Sequence, residues 1–524
     1  MQRKIRIYDA SLRDGTQGEG VSFSESGRIR FAHVLDEFGI DFIEGGYPGS
    51  NPTDRNFFSE MKKSSLRNAQ LVAFGMACRP GIEPDRDPAL RALLEAETEW
   101  VTIYGKSYPS HVEKVLGLKW RDYFPLLAQT VRFLHREGRK VIFDAEHFFD
   151  GWRSAPEDVA QMLEQLFAEA PEYLTLCDTN GGTLPGEIGS FTAAVAAMKS
   201  GVPLGIHTHN DCGLAVANTL AALENGAEMA QGCVNGFGER IGNADLTSII
   251  PILELKCPQF TCIGPERLKM LSILSKTADE LTNRRPDPCR PFVGSSAFSH
   301  KAGTHVNAVA KDPSSFEQID PAAVGNERHV LVSELAGKTN ILIKSRELGE
   351  PLDHLDKTGL EKILNEIKER ESVGYSYESV DGSLKILLQK ALHRYSPKFE
   401  LDGFRVIVEK RGRDVPCISE ATIKIKVGDR ASLSAGEGGG PVDALNQALR
   451  TALRPFYPEI DQMSLSDYRV RILDPQQAAK ATTRVVIESS DSKQQWSTIG
   501  VSENIVEASW QAMLESLEYF LNNR

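Results

Sequence analysis

The chain has 524 residues, more than one hydrophobic core usually organises, so two or three domains are expected. Hydrophobic residues make up 41 % and charged residues 25 %, and the apolar runs are no longer than a strand, so nothing approaches a membrane span. A net charge of −12 speaks against a protein that holds a phosphate backbone, although a local arginine can still receive a small anion.

The start, MQRKIRIYDASLRDG, runs directly into a strand and lacks the apolar core of a signal peptide, which predicts a cytosolic protein. From there to about residue 255, strand patterns alternate with amphipathic helical patterns. The strands fall at Lys4 to Tyr8, Asp41 to Tyr47, Gln70 to Met76, Trp100 to Gly105, Lys140 to Glu146, Tyr173 to Asp178, Pro203 to His209 and Met229 to Asn235. Helix candidates such as Ser24 to Phe38, Glu157 to Ala168 and Leu214 to Asn225 lie between them. Eight consecutive βα units in this length predict an α/β chain that opens with a (β/α)₈ TIM barrel over residues 1–260. An open doubly wound sheet is the competing arrangement.

Residues 261–400 read as a helical linker region, with Glu266 to Leu281, Gly359 to Glu371 and Gly382 to Arg394 as its clearest helices. It contains the polar stretch SSAFSHKAGTHVNAV. Residues 401–524 contain an internal βββα repeat, which predicts a C-terminal α+β domain with a regulatory or dimerising role. Its strands are Phe404 to Lys410, Ile418 to Val427 and Ala431 to Ala435, then Tyr468 to Leu473, Thr482 to Glu488 and Trp496 to Val501. Helices Val442 to Leu453 and Asn504 to Leu521 close the two halves. The run GEGGGP between strand and helix lacks a Walker lysine and is read as the start of a helix, not as a phosphate loop. The eight cysteines are scattered without a CxxC pair, as suits reduced thiols.

In a barrel of this kind chemistry collects at the C-terminal strand ends. Strand one ends in DASLRDG, strand two at Glu44, strand five in FDAEHF, strand six in CDTNGG and strand seven in HTHND, while strand eight leads into NGFGERIGNAD. His207 and His209 are two apart on a strand and share a face, so both imidazoles can reach one centre. With Asp14 facing them from strand one, they form a ligand set for a divalent cation, zinc, manganese or magnesium, that leaves positions open for a substrate carbonyl. Arg13 either orients Asp14 or stabilises an oxyanion beside the cation. Glu146 shares a face with Asp144 and either acts on substrate or closes the network around Arg13. Thr179 is either a carboxylate donor or a cap. His300 and His305 lie outside the barrel, as surface histidines or as one candidate acid or base.

The motifs DASLRDGTQ, HTHND and GFGERIGNAD resemble those of the isopropylmalate, homocitrate and citramalate synthase group, which is related to hydroxymethylglutaryl-CoA lyase. DAEHFFDG, CDTNGGTLP and VGNERHVLVSELAGKTN are most similar to the citramalate branch. The likeness extends over essentially the whole chain. It implies an acyltransferase that joins acetyl-CoA, as co-substrate, to pyruvate, giving citramalate and CoA. Asp14, His207 and His209 would hold the metal, with Asn243 as a further ligand. Arg13, Thr179, Tyr104 and Asp144 would contact substrate, and Ile82 would help shape a pocket that admits only the methyl of pyruvate. Glu146 and His305 would carry protons, His305 from a partner subunit. The resemblance further implies a homodimer regulated by isoleucine near Gly436, Gly438 and Asp443, while the acidic balance and short apolar runs predict no nucleic-acid or membrane partner. The nearest alternatives are a synthase for 2-oxoisovalerate or 2-oxoglutarate and, in a different class, a metal-dependent carbon-carbon lyase. Phe237 and Phe316, tyrosines in related sequences, and the segment KAGTHV depart from the pattern.

Overall fold

The computed structural model of the chain describes residues 2–333, 336–473 and 481–524. Residues 334 and 335, inside the segment VGNERHVLVSELAGKTN, lie outside the described residues. The chain divides into two compact units, Met1–Phe298 with Ile319–Glu327, and Ser299–Gln318 with Arg328–Arg524.

The first unit is the barrel. Strands β1 (Arg6–Asp9), β2 (Phe42–Gly46), β3 (Gln70–Met76), β4 (Trp100–Lys106), β5 (Lys140–Glu146), β6 (Tyr173–Asp178), β7 (Leu204–Thr208) and β8 (Ala227–Gly232) pair in sequence order. All pairs are parallel, and β1 closes on β8 through Arg6 opposite Met229. An open sheet is thereby excluded. The eighth strand stops at Gly232 rather than at Asn235 because the chain beyond it pairs elsewhere: Cys233 N–H donates to the Ala244 carbonyl at 3.0 Å.

Local sequence explains the helices outside the strands. Ser24 caps Glu25–Phe38 by accepting the Gly27 N–H, and Asn51 caps Pro52–Met61 by accepting the Asp54 N–H. Pro52, Pro88, Pro156 and Pro185 each open a helix, where the missing N–H is not needed. The apolar stripe of Trp120–Arg136 buries Trp120, Phe124, Leu127, Val131 and Leu134 against the strands. The expected helix Glu266 to Leu281 is two, Pro265–Leu268 and Leu271–Leu281.

Inside the barrel, aliphatic packing gives way to a buried polar layer. The Tyr8 hydroxyl donates to Glu44 Oε1 at 3.0 Å and meets Thr102 Oγ1 at 2.9 Å. Across the lumen, Gln231 Nε2 donates to Asp144 Oδ1 at 3.0 Å and to Thr175 Oγ1 at 3.1 Å. All six side chains are buried, so each hydrogen bond is made in a medium where an unmade one is costly.

The second unit begins with a short parallel pair, Ser299–His300 with His329–Val330, and helices Gly303–Lys311, Lys338–Glu347, Lys357–Ser372 and Asp381–Ala391. Two three-stranded antiparallel sheets follow, each backed by a helix, as the repeat predicts. The first has β9 (Glu400–Glu409), β10 (Ile418–Val427) and β11 (Arg430–Gly438) with helix Pro441–Leu453. The second has β12 (Ser464–Ile472), β13 (Thr483–Ser490) and β14 (Gln495–Ser502) with helix Ile505–Asn522. Strand β10 alternates cleanly, with Ala421, Ile423 and Ile425 inward and Thr422, Lys424 and Lys426 outward. Gly436 and Gly438 end β11 where a side chain has no room: a Cβ would lie 2.5 Å from Ala448 N and 2.4 Å from Ala444 N. Among the described residues, no helix is long and apolar enough to cross a membrane.

Candidate active site

The turn after β1 carries the first two site residues, and buried side chains fix it. Asp9 accepts the Ser11 N–H at 3.0 Å and the Ser11 hydroxyl at 2.8 Å, while Ser11 Oγ accepts the Val234 N–H at 2.8 Å. Burial pushes the Asp9 carboxyl up to about 7, with the Ser11 hydrogen bonds pulling the other way. From helix Glu25–Phe38, Arg28 donates to the carbonyls of Leu12 and Gly45, both at 2.9 Å, and pairs with Asp54 at 2.7 Å. One buried guanidinium therefore ties the ends of β1 and β2 to the surrounding helices.

Arg13 and Asp14 project from this turn into a cavity of about 410 Å³ at the C-terminal mouth of the barrel. Arg13 makes a two-pronged contact with Glu44, Nε to Oε2 at 2.9 Å and a terminal nitrogen to Oε1 at 3.1 Å. It also lies 3.5 Å from Asp14 Oδ1 and 3.6 Å above the Phe74 ring. Burial pushes Glu44 up to about 7 against the pull of Arg13. Burial also opposes the charge of Asp14, but Arg13 and the two histidines outweigh it and hold that carboxyl well below its usual range.

Asp14, His207 and His209 form a group whose potential ligand atoms all lie within 4.8 Å of one another. His207 Nε2 is 3.4 Å from Asp14 Oδ2 and 3.3 Å from His209 Nε2. The ring of His207 is held from behind, its Nδ1 meeting Gln231 Oε1 at 3.0 Å. Burial lowers the basicity of His207, but its hydrogen bond to Asp14 prevails and raises it. Burial and the neighbouring His207 push His209 down to about 4, which keeps its imidazole neutral. A carboxylate and two imidazoles, all buried and converging at one wall of the cavity, suit a divalent cation.

Asn243 lies beside this set, although it is not among the residues that line the cavity. A bridge pairs His209 with Asn243, and the Asn243 amide nitrogen donates to the Phe237 carbonyl at 3.1 Å. Its Oδ1 is left buried without a partner among the described residues, as is His209 Nδ1. An unpaired buried oxygen costs about 1–3 kcal/mol, which a cation ligated there would offset. Gly238 makes this placement possible, since a Cβ on it would lie 2.2 Å from the Asn243 side-chain nitrogen.

Tyr104, Asp144, Glu146 and Thr179 line the same cavity. Tyr104 stacks on Phe74 with ring centres 5.4 Å apart. Thr179 Oγ1 accepts the His147 N–H at 2.8 Å, so its own proton remains available to a ligand. Glu146 meets Lys106 Nζ at 2.8 Å, whereas Glu44 is the carboxylate against Arg13. Arg240 pairs with Asp211 and donates to the Thr179 carbonyl at 2.9 Å, locking the loops after β6 and β7 together.

Several expected residues lie elsewhere. Ile82 does not line the cavity; its carbonyl accepts from Cys78 Sγ at 3.1 Å. Asn235 turns away to the Ser275 carbonyl and to Asp279. In the second unit, His300 is engaged by Glu317 at 3.0 Å, and Glu317 is held in turn by Arg328. His305 is exposed and stacks on Phe316 with centres 4.1 Å apart, which leaves it the freer of the two histidines. Asp443 Oδ2 accepts the Gly439 N–H at 2.9 Å at the start of helix Pro441–Leu453. Glu44, Gln231, Thr175 and Lys106 were not singled out for roles from sequence. Only Glu44 carried a signal, as a strand-end carboxylate.

Residues 4–263 match the HMGL-like family, 292–374 the homocitrate synthase post-HMGL domain-like family, and 378–521 the LeuA allosteric (dimerisation) domain. Three similar curated proteins bear the name (R)-citramalate synthase. That of Geobacter sulfurreducens is 45 % identical, over 99 % of this chain and 98 % of its own. Those of Aquifex aeolicus and Synechocystis are each 44 % identical, over 99 % and 98 % of this chain and 98 % and 96 % of theirs.

Proposed function

The chain belongs to the (R)-citramalate synthase family, and from that premise we propose that its barrel condenses acetyl-CoA with pyruvate to give (R)-citramalate and CoA. The observation that carries this reading is the convergence of Asp14, His207, His209 and Arg13 on one cavity at the barrel mouth. The divalent cation that Asp14, His207 and His209 would hold, with Asn243 as a further ligand, is zinc, manganese or magnesium, and when bound it polarises a keto carbonyl.

The protein's own groups then have distinct tasks. The Thr179 hydroxyl, whose oxygen already accepts the His147 N–H, donates a hydrogen bond to the pyruvate carboxylate. Arg13, kept charged and oriented by Glu44, faces the keto oxygen and stabilises the negative charge that grows there. Glu146, beside Lys106, withdraws a proton from the acetyl methyl group, whose carbon attacks the keto carbon. His305, supplied by a second copy of the chain, delivers a proton to the new hydroxyl oxygen. Water then cleaves the thioester and releases CoA. Tyr104 and Asp144 restrict the acceptor pocket to a methyl group.

For the C-terminal repeat the reading is dimerisation and feedback by isoleucine beside Gly436, Gly438 and Asp443. Ile407 and Leu433, 43 % and 69 % exposed and in register with the outward Glu420 and Lys424 on the first sheet, are the apolar positions such an interface would cover. The enzyme is taken as cytosolic, with small-molecule substrates and neither nucleic-acid nor membrane partners.

CoA release measured with acetyl-CoA and a panel of 2-oxo acids, with and without isoleucine, tests the assignment. Pyruvate is expected to give the fastest turnover and isoleucine to reduce it. Faster turnover with 2-oxoisovalerate or 2-oxoglutarate would refute the acceptor.

A further inference from the structure

The Gln231 side chain hydrogen-bonds to both the candidate metal histidine His207 and the acidic residue Asp144. It lies on β8, 1 % exposed, and its amide has two chemically different ends. The nitrogen end faces Asp144 Oδ1 at 3.0 Å and Thr175 Oγ1 at 3.1 Å. The oxygen end faces His207 Nδ1 at 3.0 Å. Reversing the amide would set its oxygen against a carboxyl oxygen in a dry site, so Asp144 and Thr175 decide which way Gln231 points.

That orientation has a consequence for the imidazole. An amide oxygen can only accept, so His207 Nδ1 must carry a proton. A neutral imidazole has one N–H, which leaves the lone pair on Nε2, the atom 3.4 Å from Asp14 Oδ2 and 3.3 Å from His209 Nε2. We propose that Gln231 is a positioning residue: oriented by Asp144 and Thr175, it selects the His207 tautomer whose Nε2 binds the divalent cation. A carboxylate or carbonyl more often holds a ligating histidine in this way. Here a glutamine, 87 residues along the chain from Asp144, transmits the polarity of that carboxylate, which itself lines the cavity, to the ring of His207.

The inference rests on the reading that His207 is a ligand, and the experiment separates the two. Mn²⁺ and Zn²⁺ affinities of the metal-stripped full-length protein would be measured by titration calorimetry for wild type, His207→Ala, Gln231→Leu and Gln231→Glu, with thermal unfolding alongside. Gln231→Leu removes the acceptor and is expected to weaken the cation about 10–100-fold, the usual effect of losing the group behind a ligating histidine. Gln231→Glu restores an acceptor for Nδ1, and its second oxygen, protonated, can donate to Asp144; its affinity should return to within about threefold of wild type. Wild-type affinity in Gln231→Leu overturns the proposal. So does an equal loss in both Gln231 variants, which would mark the position as packing only. If Gln231→Leu does not fold, Thr175→Val replaces it, with a smaller loss of affinity expected and no loss refuting the relay. Wild-type affinity in His207→Ala would instead overturn the ligand assignment itself.

Discussion

The pair Arg13 and Glu44 offers a sharp test of how the cavity is held. Glu44 is fully buried and accepts from Arg13 at 2.9 and 3.1 Å and from the Tyr8 hydroxyl at 3.0 Å. Glu44→Ala would leave the guanidinium with Asp14 at 3.5 Å and the Phe74 face at 3.6 Å as its remaining partners. Tyr8 would keep Thr102 at 2.9 Å, so its loss is small. Removing one partner of a buried pair costs about 3–5 kcal/mol because the other charge stays behind. At roughly 2–4 °C per kcal/mol for a domain of this size, the barrel transition should fall by roughly 6–20 °C. Calorimetry at pH 8 in EDTA reads this directly, above the value of about 7 to which burial pushes Glu44, so the wild-type carboxylate is charged. The double variant Arg13→Met/Glu44→Leu removes both charges and should recover at least about 2 kcal/mol relative to Glu44→Ala, with turnover still absent. A Glu44→Ala loss below about 1 kcal/mol, or a double variant no more stable than the single, would refute the reasoning.

Three further changes probe other levels of the structure. Gly238→Ala at φ +148° would put a methyl 2.2 Å from the Asn243 nitrogen; a cost of about 1–3 kcal/mol and weakened metal binding are expected, read by unfolding and calorimetry. Asp36 accepts the N–H groups of Arg67, Asn68 and Ala69 at 2.9, 2.7 and 2.8 Å, and although burial opposes its charge these bonds hold its carboxyl below the ordinary 3.8. A depressed carboxyl stabilises the fold above its unfolded value and ceases to do so as the pH drops through the folded one. Asp36→Asn should therefore cost about 1–3 kcal/mol at pH 7, with the gap to wild type closing below pH ~3.8 in denaturant titrations. Gly436→Ala brings a methyl 2.5 Å from Ala448 N and should destabilise the C-terminal repeat by about 1–3 kcal/mol without changing metal affinity.

Features with a local period were legible in the sequence. Strand alternation alone puts His207 and His209 on one face, and counting βα units places Asp14, Glu146 and Thr179 at strand ends on the same mouth. The βββα repeat was readable for the same reason, since two-residue and 3.6-residue periods are properties of neighbours in the chain. Partners across the lumen were not. Arg13 chooses Glu44, 31 residues on, and Glu146 turns to Lys106, 40 residues back, because barrel closure and stagger set which inward side chains meet at one level. Ile82 lies outside the cavity because it sits in the loop beyond β3, its carbonyl turned to Cys78, where no strand period sets its direction. Gln231 carries no local signal at all. In sequence it is a polar residue in a strand, and it gains a role only when closure brings β8 beside β1 and β7, with Asp144 of β5 and Thr175 of β6 reached across the interior. The sequence by itself thus determined which residues can reach the barrel mouth. The tertiary structure decided which of them hold one another, because in a dry interior every donor must find its acceptor within about 3 Å.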